Sequence, residues 1–283
     1  MLFADAHLHS NPLRGIGLRS IVKNFKAVGG WFLAIVSLPP SHYGLGSSYD
    51  DYVRGIEILI RECRTAKEEG VKTKCLAGIH PADLEKLVNS QSLKYDEVIN
   101  LALKILNYIS KLIKSGVLDG IGEVGRPHYK TTPEGYVVNE LVLHHALRLA
   151  KDLHSIVHLH LEQGGILTVL SMTDLLESIS LSKDLVLLHH MDIKTAMNAE
   201  GVSLRYTLCG KLQLLREGFK KLKPTYMIES DFIDDPRRPG VAAYPWEIVE
   251  NQLLLLKEGL VSEDYLFKLN VDNIVKFYGV EPP

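Results

Sequence analysis

Three side chains near the start of the chain, Asp5, His7 and His9, are polar and occupy every second position of an otherwise apolar segment. Successive side chains of a β-strand point to opposite faces, so this spacing predicts that all three share one face. Burying them without partners would be unfavourable. A metal ion is one possible partner, because a His-x-His pair at a strand end supplies two imidazoles to one site. A hydrogen-bonded core histidine is the alternative.

More side chains of the kind that bind metals follow later apolar segments of the chain. They are His80, Glu123, His160, the adjacent pair His189 and His190, and the nearby acids Glu229 and Asp231. A single histidine at such a position is often structural. The repeated placement of histidines and acids after apolar segments favours one shared metal site.

Two histidine pairs each offer a choice of ligand. His158 and His160 lie on one strand face, and we expect His160, nearer the strand end, to bind metal while His158 lies deeper as a hydrogen-bonded residue. His189 and His190 are neighbours and should point to opposite faces, so we expect only His189 to bind metal directly.

These residues can form one site only in a fold that brings the ends of several strands close together. Apolar runs that predict buried strands begin at Leu2, Trp31, Lys74, Gly116, Ser155, Leu185, Gly201 and Thr225. Amphipathic stretches such as 95–116 and 139–155 separate most of them and have apolar residues at helical spacing. Alternating strands and helices indicate a parallel sheet. We therefore predict a single (β/α)8 barrel domain spanning residues 1–283, with a doubly wound open sheet as the alternative.

Composition narrows the function classes. The chain has 283 residues, 46% of them hydrophobic, and a net charge of -2, so no global attraction to nucleic acid or anionic membranes is expected. Its three cysteines are scattered, which argues against a disulfide framework and for a reducing compartment. The chain does not open on a signal-like segment, and no apolar run approaches membrane-spanning length. We expect a cytoplasmic protein without a membrane partner.

The ordered motifs resemble those of the TatD-type deoxyribonuclease family, in the metal-dependent amidohydrolase superfamily. The matching segments are FADAHLH, GIHP, GIGEVG, the strand ending at His160, LLHH, ESD and the closing NIVKFYG. The resemblance covers the whole chain, and the run ESDFIDDPRRPG looks most like an archaeal branch. A similar barrel fold and hydrolytic activity are implied.

The resemblance also implies a two-metal site. One metal would be held by His7, His9 and Asp231, the other by His160 and His189, with Glu123 bridging them. One or two divalent ions, Zn, Mn, Mg, Fe or Ni, are the implied cofactors, because imidazoles and carboxylates together suit transition metals better than Ca²⁺. Glu123 and Asp231 are the predicted catalytic residues, with Asp231 as ligand and general base.

The segments expected to choose the substrate depart from the bacterial nucleases. Arg126 and Pro127 replace a common Leu-Asp, Glu162 replaces an arginine, and Ala82 ends what is commonly a His-Pro-His motif. We predict that His80 and Arg126 contact substrate, with Arg126 suited to phosphate oxygens. An ion pair with Glu162 is the alternative for Arg126.

Three functions remain open from the sequence. The first is hydrolysis of DNA or another phosphodiester, which the resemblance favours. The second is hydrolysis of an amide, ester or lactone of a small molecule, because the same kind of site activates water toward carbonyl carbon. The third is a metal-binding barrel with little catalysis. The oligomeric state is left open.

Overall fold

In the computed structural model, which describes residues 1–90, 93–237 and 243–283, eight parallel strands are arranged in chain order. The strands are β1 (Phe3–Leu8), β2 (Gly30–Val36), β3 (Lys72–Ala77), β4 (Gly120–Gly125), β5 (Ile156–His160), β6 (Val186–Leu188), β7 (Arg205–Cys209) and β8 (Met227–Glu229). The ends of the sheet meet, because Asp231 N–H donates to the His7 carbonyl at 3.0 Å and His9 N–H donates to the Phe232 carbonyl at 2.9 Å. The predicted (β/α)8 barrel is confirmed, and the open-sheet alternative is excluded.

Helices follow the strands and cover the outside of the barrel. The α-helices are α1 (Gly17–Ala27), α2 (Tyr49–Glu68), α3 (Pro81–Asn89), α4 (Tyr95–Lys114), α5 (Pro133–Leu153), α6 (Ile166–Ile179), α7 (Ile193–Gly201), α8 (Leu212–Lys221), α9 (Pro245–Lys257), α10 (Glu263–Phe267) and α11 (Asn273–Tyr278). Short 3₁₀ turns lie at Pro40–Tyr43 and Lys183–Leu185, and a π-helical turn at Lys268–Asp272 joins α10 to α11.

Local sequence signals explain where several helices begin. Ser48 caps α2 and exchanges hydrogen bonds with Asp51, a reciprocal capping box. Thr132 accepts the backbone N–H of Gly135 at the start of α5, where Pro133 occupies the first helical turn. These signals place the starts of α2 and α5 after the loops that leave β2 and β4.

The last helix packs against the barrel rather than extending from it. Ile274, Phe277 and Tyr278 of α11 join a buried cluster with Phe32 and Leu187. Asn273 donates its side-chain N–H to the carbonyl of Tyr226 at 2.7 Å. The chain terminus is thereby fixed to the strands, one layer below the predicted metal ligands.

Strand β1 is irregular, and the predicted shared face for Asp5, His7 and His9 is wrong for Asp5. The pairing of β1 with β2 shifts register between Asp5 and Leu8. Asp5 Oδ1 accepts the backbone N–H groups of His7 and Ser230, at 3.2 and 2.9 Å. Its carboxylate therefore supports the junction of β1 with the segment after β8 instead of lying beside the two imidazoles.

A disulfide joins Cys63 of α2 to Cys75 of β3, with their Cα atoms 6.1 Å apart. The prediction that the cysteines form no disulfide is therefore wrong for Cys63 and Cys75, and cysteine usage does not support a reducing compartment. Cys209 is a free thiol. No helix in the described part of the chain is both long and apolar enough to cross a membrane.

Candidate metal centre and active-site cavity

The carboxyl ends of the strands open into a cavity of about 630 Å³. Active sites of (β/α)8 enzymes lie at this end of the barrel. The predicted ligands that line the cavity are His9, Glu123, His160, His189 and Asp231. His7, the sixth predicted ligand, is fully buried beneath them.

The carboxylate of Glu123 lies at the centre of the site. Its Oε2 is 2.6 Å from Nε2 of His189 and 3.0 Å from Nδ1 of His160. Its Oε1 is 3.5 Å from Nε2 of His9 and 3.8 Å from Nε2 of His80. Since each oxygen faces a different set of imidazoles, Glu123 is placed as a ligand that two ions could share.

A glycine in the GIHP motif allows Glu123 to occupy this position. A Cβ atom at Gly78 would overlap the backbone carbonyl of Glu123. Any other residue at Gly78 would therefore push the two strand ends apart and displace the central carboxylate.

Hydrogen bonds outside the cavity orient its imidazoles. Nδ1 of His9 donates to the carbonyl of Val36 at 3.0 Å, because a carbonyl can only accept. The lone pair of the neutral ring is then on Nε2, which is 3.8 Å from Oδ1 of Asp231. Such a bond from the outer ring nitrogen is the usual support of a metal-bound histidine.

Glu229 supports the other side of the site. It accepts the hydroxyl of Thr207 at 2.7 Å and the backbone N–H of His190 at 2.6 Å. The same carboxylate lies 3.6 Å from Nδ1 of His189. Glu229 therefore lies behind the ring of His189, at ion-pair rather than hydrogen-bond distance, while the opposite nitrogen faces Glu123.

Burial and neighbouring charges set the protonation states. Burial lowers the pKa of His9, and lowers that of His80 to about 3, so both rings are neutral near pH 7. Burial opposes ionisation of Glu123, but His80 and His189 outweigh it and hold its pKa well below the ordinary range. Burial alone would lower the pKa of His189, whereas Glu123 raises it well above the ordinary range. A metal ion would compete with this proton.

Asp231 lies at the wall of the cavity. Its side chain is 27% exposed, so it is the most accessible carboxylate of the predicted ligands. Desolvation by the surrounding groups raises its pKa well above the ordinary range, while His189 acts in the opposite direction. Asp231 is thus positioned to contact both a metal ion held by the neighbouring ligands and a molecule in the cavity.

Among residues 1–90, 93–237 and 243–283, side chains form four groups of three whose ligand atoms all lie within 4.8 Å of one another. The groups are His7–His9–Asp231, His7–Glu123–His189, His80–Glu123–His160 and His128–His160–His190. Nε2 of His7 and Nε2 of His160 are buried, and no described residue hydrogen-bonds either atom. Buried polar atoms without partners are unfavourable, and divalent ions would satisfy them. The residues present therefore fit a transition-metal centre.

A family model described as "TatD related DNase" matches residues 4–279. The chain belongs to this family. The predicted family resemblance is confirmed, and it covers nearly the whole chain. The chain is also 29% identical over 280 residues to the uncharacterized protein MJ1127 of Methanocaldococcus jannaschii, covering 98% of this chain and 95% of that protein.

Solved structures show the same barrel fold. The TatD-like protein AF1765 of Archaeoglobus fulgidus is 20% identical with a TM-score of 0.67, and 98% of this chain and 100% of that chain are covered. YJJV, a TatD homolog of Escherichia coli K12, is 14% identical with a TM-score of 0.69, covering 99% and 98%. The phosphotriesterase homology protein of E. coli, solved with phosphate in its active site, is 14% identical with a TM-score of 0.66, covering 98% of each chain. This TatD-family chain thus has the fold of metal-dependent hydrolases.

The site of this TatD-family chain contains two histidines that sequence reasoning did not place there. His190 was expected to point away, but its backbone is left-handed (φ 47°) and its Nε2 is 3.3 Å from Nδ1 of His160. Strand β6 ends at Leu188, so strand alternation no longer applies to His190. His128 was overlooked: its ring stacks on that of His160, with centroids 4.6 Å apart. Its position three residues after β4 was the available signal.

The two predicted substrate contacts differ in placement. His80 lines the cavity and caps α3, where its Nδ1 accepts the backbone N–H of Ala82 at 3.0 Å. Arg126 is not among the residues that line the cavity, and it is only 2% exposed. Its guanidinium donates to both oxygens of Glu162, at 2.9 and 2.7 Å, and to Ser171 at 2.8 Å. The structure therefore favours the ion-pair alternative for Arg126.

Arg237 and Arg238 follow two aspartates in the sequence DDPRRPG. The two arginines could bind an anion, but pairing with the neighbouring aspartates is the favoured interpretation. Arg237 pairs with Asp235 through Nε and a terminal nitrogen. Arg238 lies outside the described residues. The pairing of Arg237 is consistent with a solvated turn.

Proposed function

We propose that this protein is a metal-dependent hydrolase that cleaves phosphodiester bonds, DNA being one candidate substrate. The central position of Glu123 among imidazoles from both sides is the observation that carries the proposal. Family membership supports it, since the matching family is described as TatD related DNase. His7, His9 and Asp231 would hold one ion, His160 and His189 the other, and Glu123 both.

Divalent ions bound there would act as Lewis acids that make a water molecule more acidic and stabilise negative charge on a phosphoryl group. We assign Asp231 the role of general base, because its carboxylate is at the cavity wall within 3.8 Å of His9. The water oxygen attacks phosphorus, its proton passes to Asp231, and the bond from phosphorus to the leaving oxygen breaks.

His80 is assigned a role in binding the phosphoryl group. Its Nδ1 accepts the N–H of Ala82, so the neutral ring carries its proton on Nε2. That nitrogen is 3.8 Å from Glu123 and faces the cavity, where it can donate a hydrogen bond to a phosphoryl oxygen. The hydrogen bond would orient the phosphorus toward the attacking water.

Hydrolysis of a carbonyl substrate, such as an ester, lactone or amide of a small molecule, is the second candidate. The observation that favours it is the ion pair of Arg126 with Glu162, which occupies the guanidinium that was expected to bind phosphate. The lysines that line the cavity, Lys86 and Lys211, are accompanied by Asp83 and Asp192, so the lining is not strongly basic. A compact uncharged substrate would suit such a lining.

The test is a parallel substrate screen of protein loaded in turn with Zn²⁺, Mn²⁺, Fe²⁺, Ni²⁺ and Mg²⁺. The panel contains a single-stranded oligonucleotide, a chromogenic phosphodiester, a lactone, an ester and an amide. Asp231→Asn is the matched control, since it keeps size and one oxygen but removes the charge. We expect phosphodiester turnover by the wild type and a fall of roughly 10²-fold or more in Asp231→Asn at saturating metal.

Other outcomes of the screen would support a different function or remove the role assigned to Asp231. Lactone, ester or amide turnover without phosphodiester turnover would replace the proposal by the carbonyl candidate. Turnover of no class by fully loaded wild type would support a metal-binding barrel. Recovery of Asp231→Asn to the wild-type rate with excess metal would remove the general-base role.

A further inference from the structure

A chain of buried hydrogen bonds runs from the last helix to the metal ligands. The hydroxyl of Tyr278 donates to the carbonyl of Ala6 at 2.7 Å. Its oxygen is also 3.0 Å from Nε2 of His158. Nδ1 of His158 is in turn 3.0 Å from Nδ1 of His7. Both histidines are fully buried and Tyr278 is nearly so.

The donors and acceptors in this series of hydrogen bonds can be assigned in only one way. The carbonyl of Ala6 accepts and cannot donate, so it takes the single proton of the Tyr278 hydroxyl. The phenol oxygen then accepts, and Nε2 of His158 must carry the proton between them. Nε2 holds the one proton of the neutral ring, and full burial disfavours a second proton, so Nδ1 of His158 has only a lone pair. That lone pair accepts a proton held on Nδ1 of His7.

The donor and acceptor roles also determine which ring nitrogen of His7 carries a lone pair. His7 is also fully buried, which disfavours its charged form, so this ring holds one proton as well. With its proton on Nδ1, the lone pair of His7 must be on Nε2. That atom is buried and has no hydrogen-bond partner among the described residues. His7 belongs to two of the groups of ligand atoms, one with His9 and Asp231 and one with Glu123 and His189.

We propose that Tyr278 and His158 are positioning residues that fix the tautomer of His7 and so prepare its Nε2 to bind metal. The proposal rests on the metal centre of the proposed function but not on the identity of the substrate. It adds residues that contact neither metal nor substrate to the set that builds the centre.

Comparison with His9 shows why the hydrogen bond to Tyr278 is needed to fix the tautomer of His7. The proton of His9 is fixed directly by a carbonyl, that of Val36, which can only accept. An imidazole partner imposes no such direction, because either ring of the His7–His158 pair could hold the shared proton. Only the bond of His158 to Tyr278 removes this ambiguity. Loss of the phenol oxygen would leave Nε2–H of His158 unpaired and favour the reversed pair, in which the proton of His7 is on Nε2.

The first measurement uses the wild-type, metal-free protein. Long-range ¹H–¹⁵N spectra of histidine-labelled protein distinguish the two neutral tautomers of each ring. We expect His7 as the Nδ1–H form and His158 as the Nε2–H form. The reversed assignment for this pair would overturn the proposal without any mutation, and it would do so whatever the protein hydrolyses.

The second measurement compares Tyr278→Phe with the matched control Tyr206→Phe. Tyr206 is also fully buried and donates its hydroxyl to Glu200 at 2.9 Å, but it takes no part in the histidine chain. We expect Tyr278→Phe to bind Zn²⁺ roughly 10-fold more weakly and to contain the reversed tautomer pair. Tyr206→Phe should keep the wild-type affinity and tautomers.

The outcomes separate this proposal from the proposed function. Equal loss of thermal stability in both variants, with unchanged Zn²⁺ affinity and tautomers, would make Tyr278 merely structural and overturn the proposal. Failure of Tyr278→Phe to fold would leave the wild-type spectra to decide. Correct tautomers with no hydrolysis of any substrate would contradict the proposed function while supporting the proposed positioning role.

Discussion

Adjacent histidines at the end of β6 both reach the cavity, yet their contacts differ. Nε2 of His189 lies 2.6 Å from Glu123, and its opposite nitrogen is backed by Glu229 at 3.6 Å. His190 lies nearer the opening, where its Nε2 meets His160 at 3.3 Å. A carboxylate near the outer ring nitrogen is a common feature of histidines that bind metal. We therefore expect His189 to be the ligand and His190 to contact whatever occupies the cavity.

Alanine substitutions at these two positions test the assignment. His189→Ala should lose at least one equivalent of metal, because it removes an imidazole from a group of three ligands. His190→Ala should retain the wild-type metal content and change substrate affinity instead. Elemental analysis of both purified variants gives the answer. Metal loss in His190→Ala alone would exchange the two roles.

Loops after β4 and β5 are joined by a partly buried ion pair. Arg126 follows β4 and Glu162 follows β5, and their bidentate contact is accompanied by a bond to Ser171 of α6. Glu123 lies in β4, two residues before its end, and His160 ends β5. The ion pair therefore fixes the relative position of two loops that lie directly beside ligands of the site.

Breaking this pair should reduce stability rather than metal binding. Glu162→Gln would leave the buried guanidinium without its charge partner, which we expect to cost about 2 kcal/mol, less than a fully buried pair because Glu162 is 35% exposed. For a chain of this size the Tm should fall by about 3–4 °C. Thermal unfolding measures the loss, and the double variant Arg126→Leu with Glu162→Leu should recover part of it.

A different result would restore the substrate role of Arg126. Unchanged Tm in Glu162→Gln, together with a raised KM for the best substrate in Arg126→Leu, would mean that the guanidinium leaves the pair to contact substrate. Unchanged metal content in every variant is the control that separates both outcomes from damage to the metal centre.

The whole barrel is needed to assemble the ligand set. Ligands come from β1, β4, β5 and from segments after β6 and β8, which are far apart in the chain and meet only when the sheet closes. Buried imidazoles and carboxylates crowd one another at this site, and Nε2 of His7 and of His160 have no hydrogen-bond partners among the described residues. Metal binding should therefore be coupled strongly to folding.

Metal ions should raise the stability of the entire molecule. A ligand that binds only the folded state at 1,000 times its Kd adds about 4 kcal/mol. We expect the Tm of chelator-treated protein to rise on addition of Zn²⁺ or Mn²⁺, and to rise much less in His189→Ala. Differential scanning calorimetry measures both. Equal increases in wild type and variant would indicate that the ions bind elsewhere.

The sequence by itself determined the fold class and most of the candidate site. Eight apolar runs, most of them separated by amphipathic stretches, predicted the barrel, because hydrophobic periodicity reflects burial directly. Side chains at strand ends converge in any such barrel, so the proximity of Glu123, His160 and Asp231 could be predicted from the sequence. Exact strand bounds differed by a few residues, as in β3, which begins at Lys72 rather than Lys74.

Only the tertiary structure decided the features that depend on irregular backbone or on distant partners. The register shift in β1 separates Asp5 from the ligands, and the left-handed conformation of His190 turns its ring inward; neither follows from strand alternation. The pairing of Cys63 with Cys75 requires the packing of α2 on β3. The contact of Tyr278 with His158 joins residues 120 positions apart, and no local pattern specifies it. Periodicity reports which face a side chain takes, whereas these features arise from where whole elements meet.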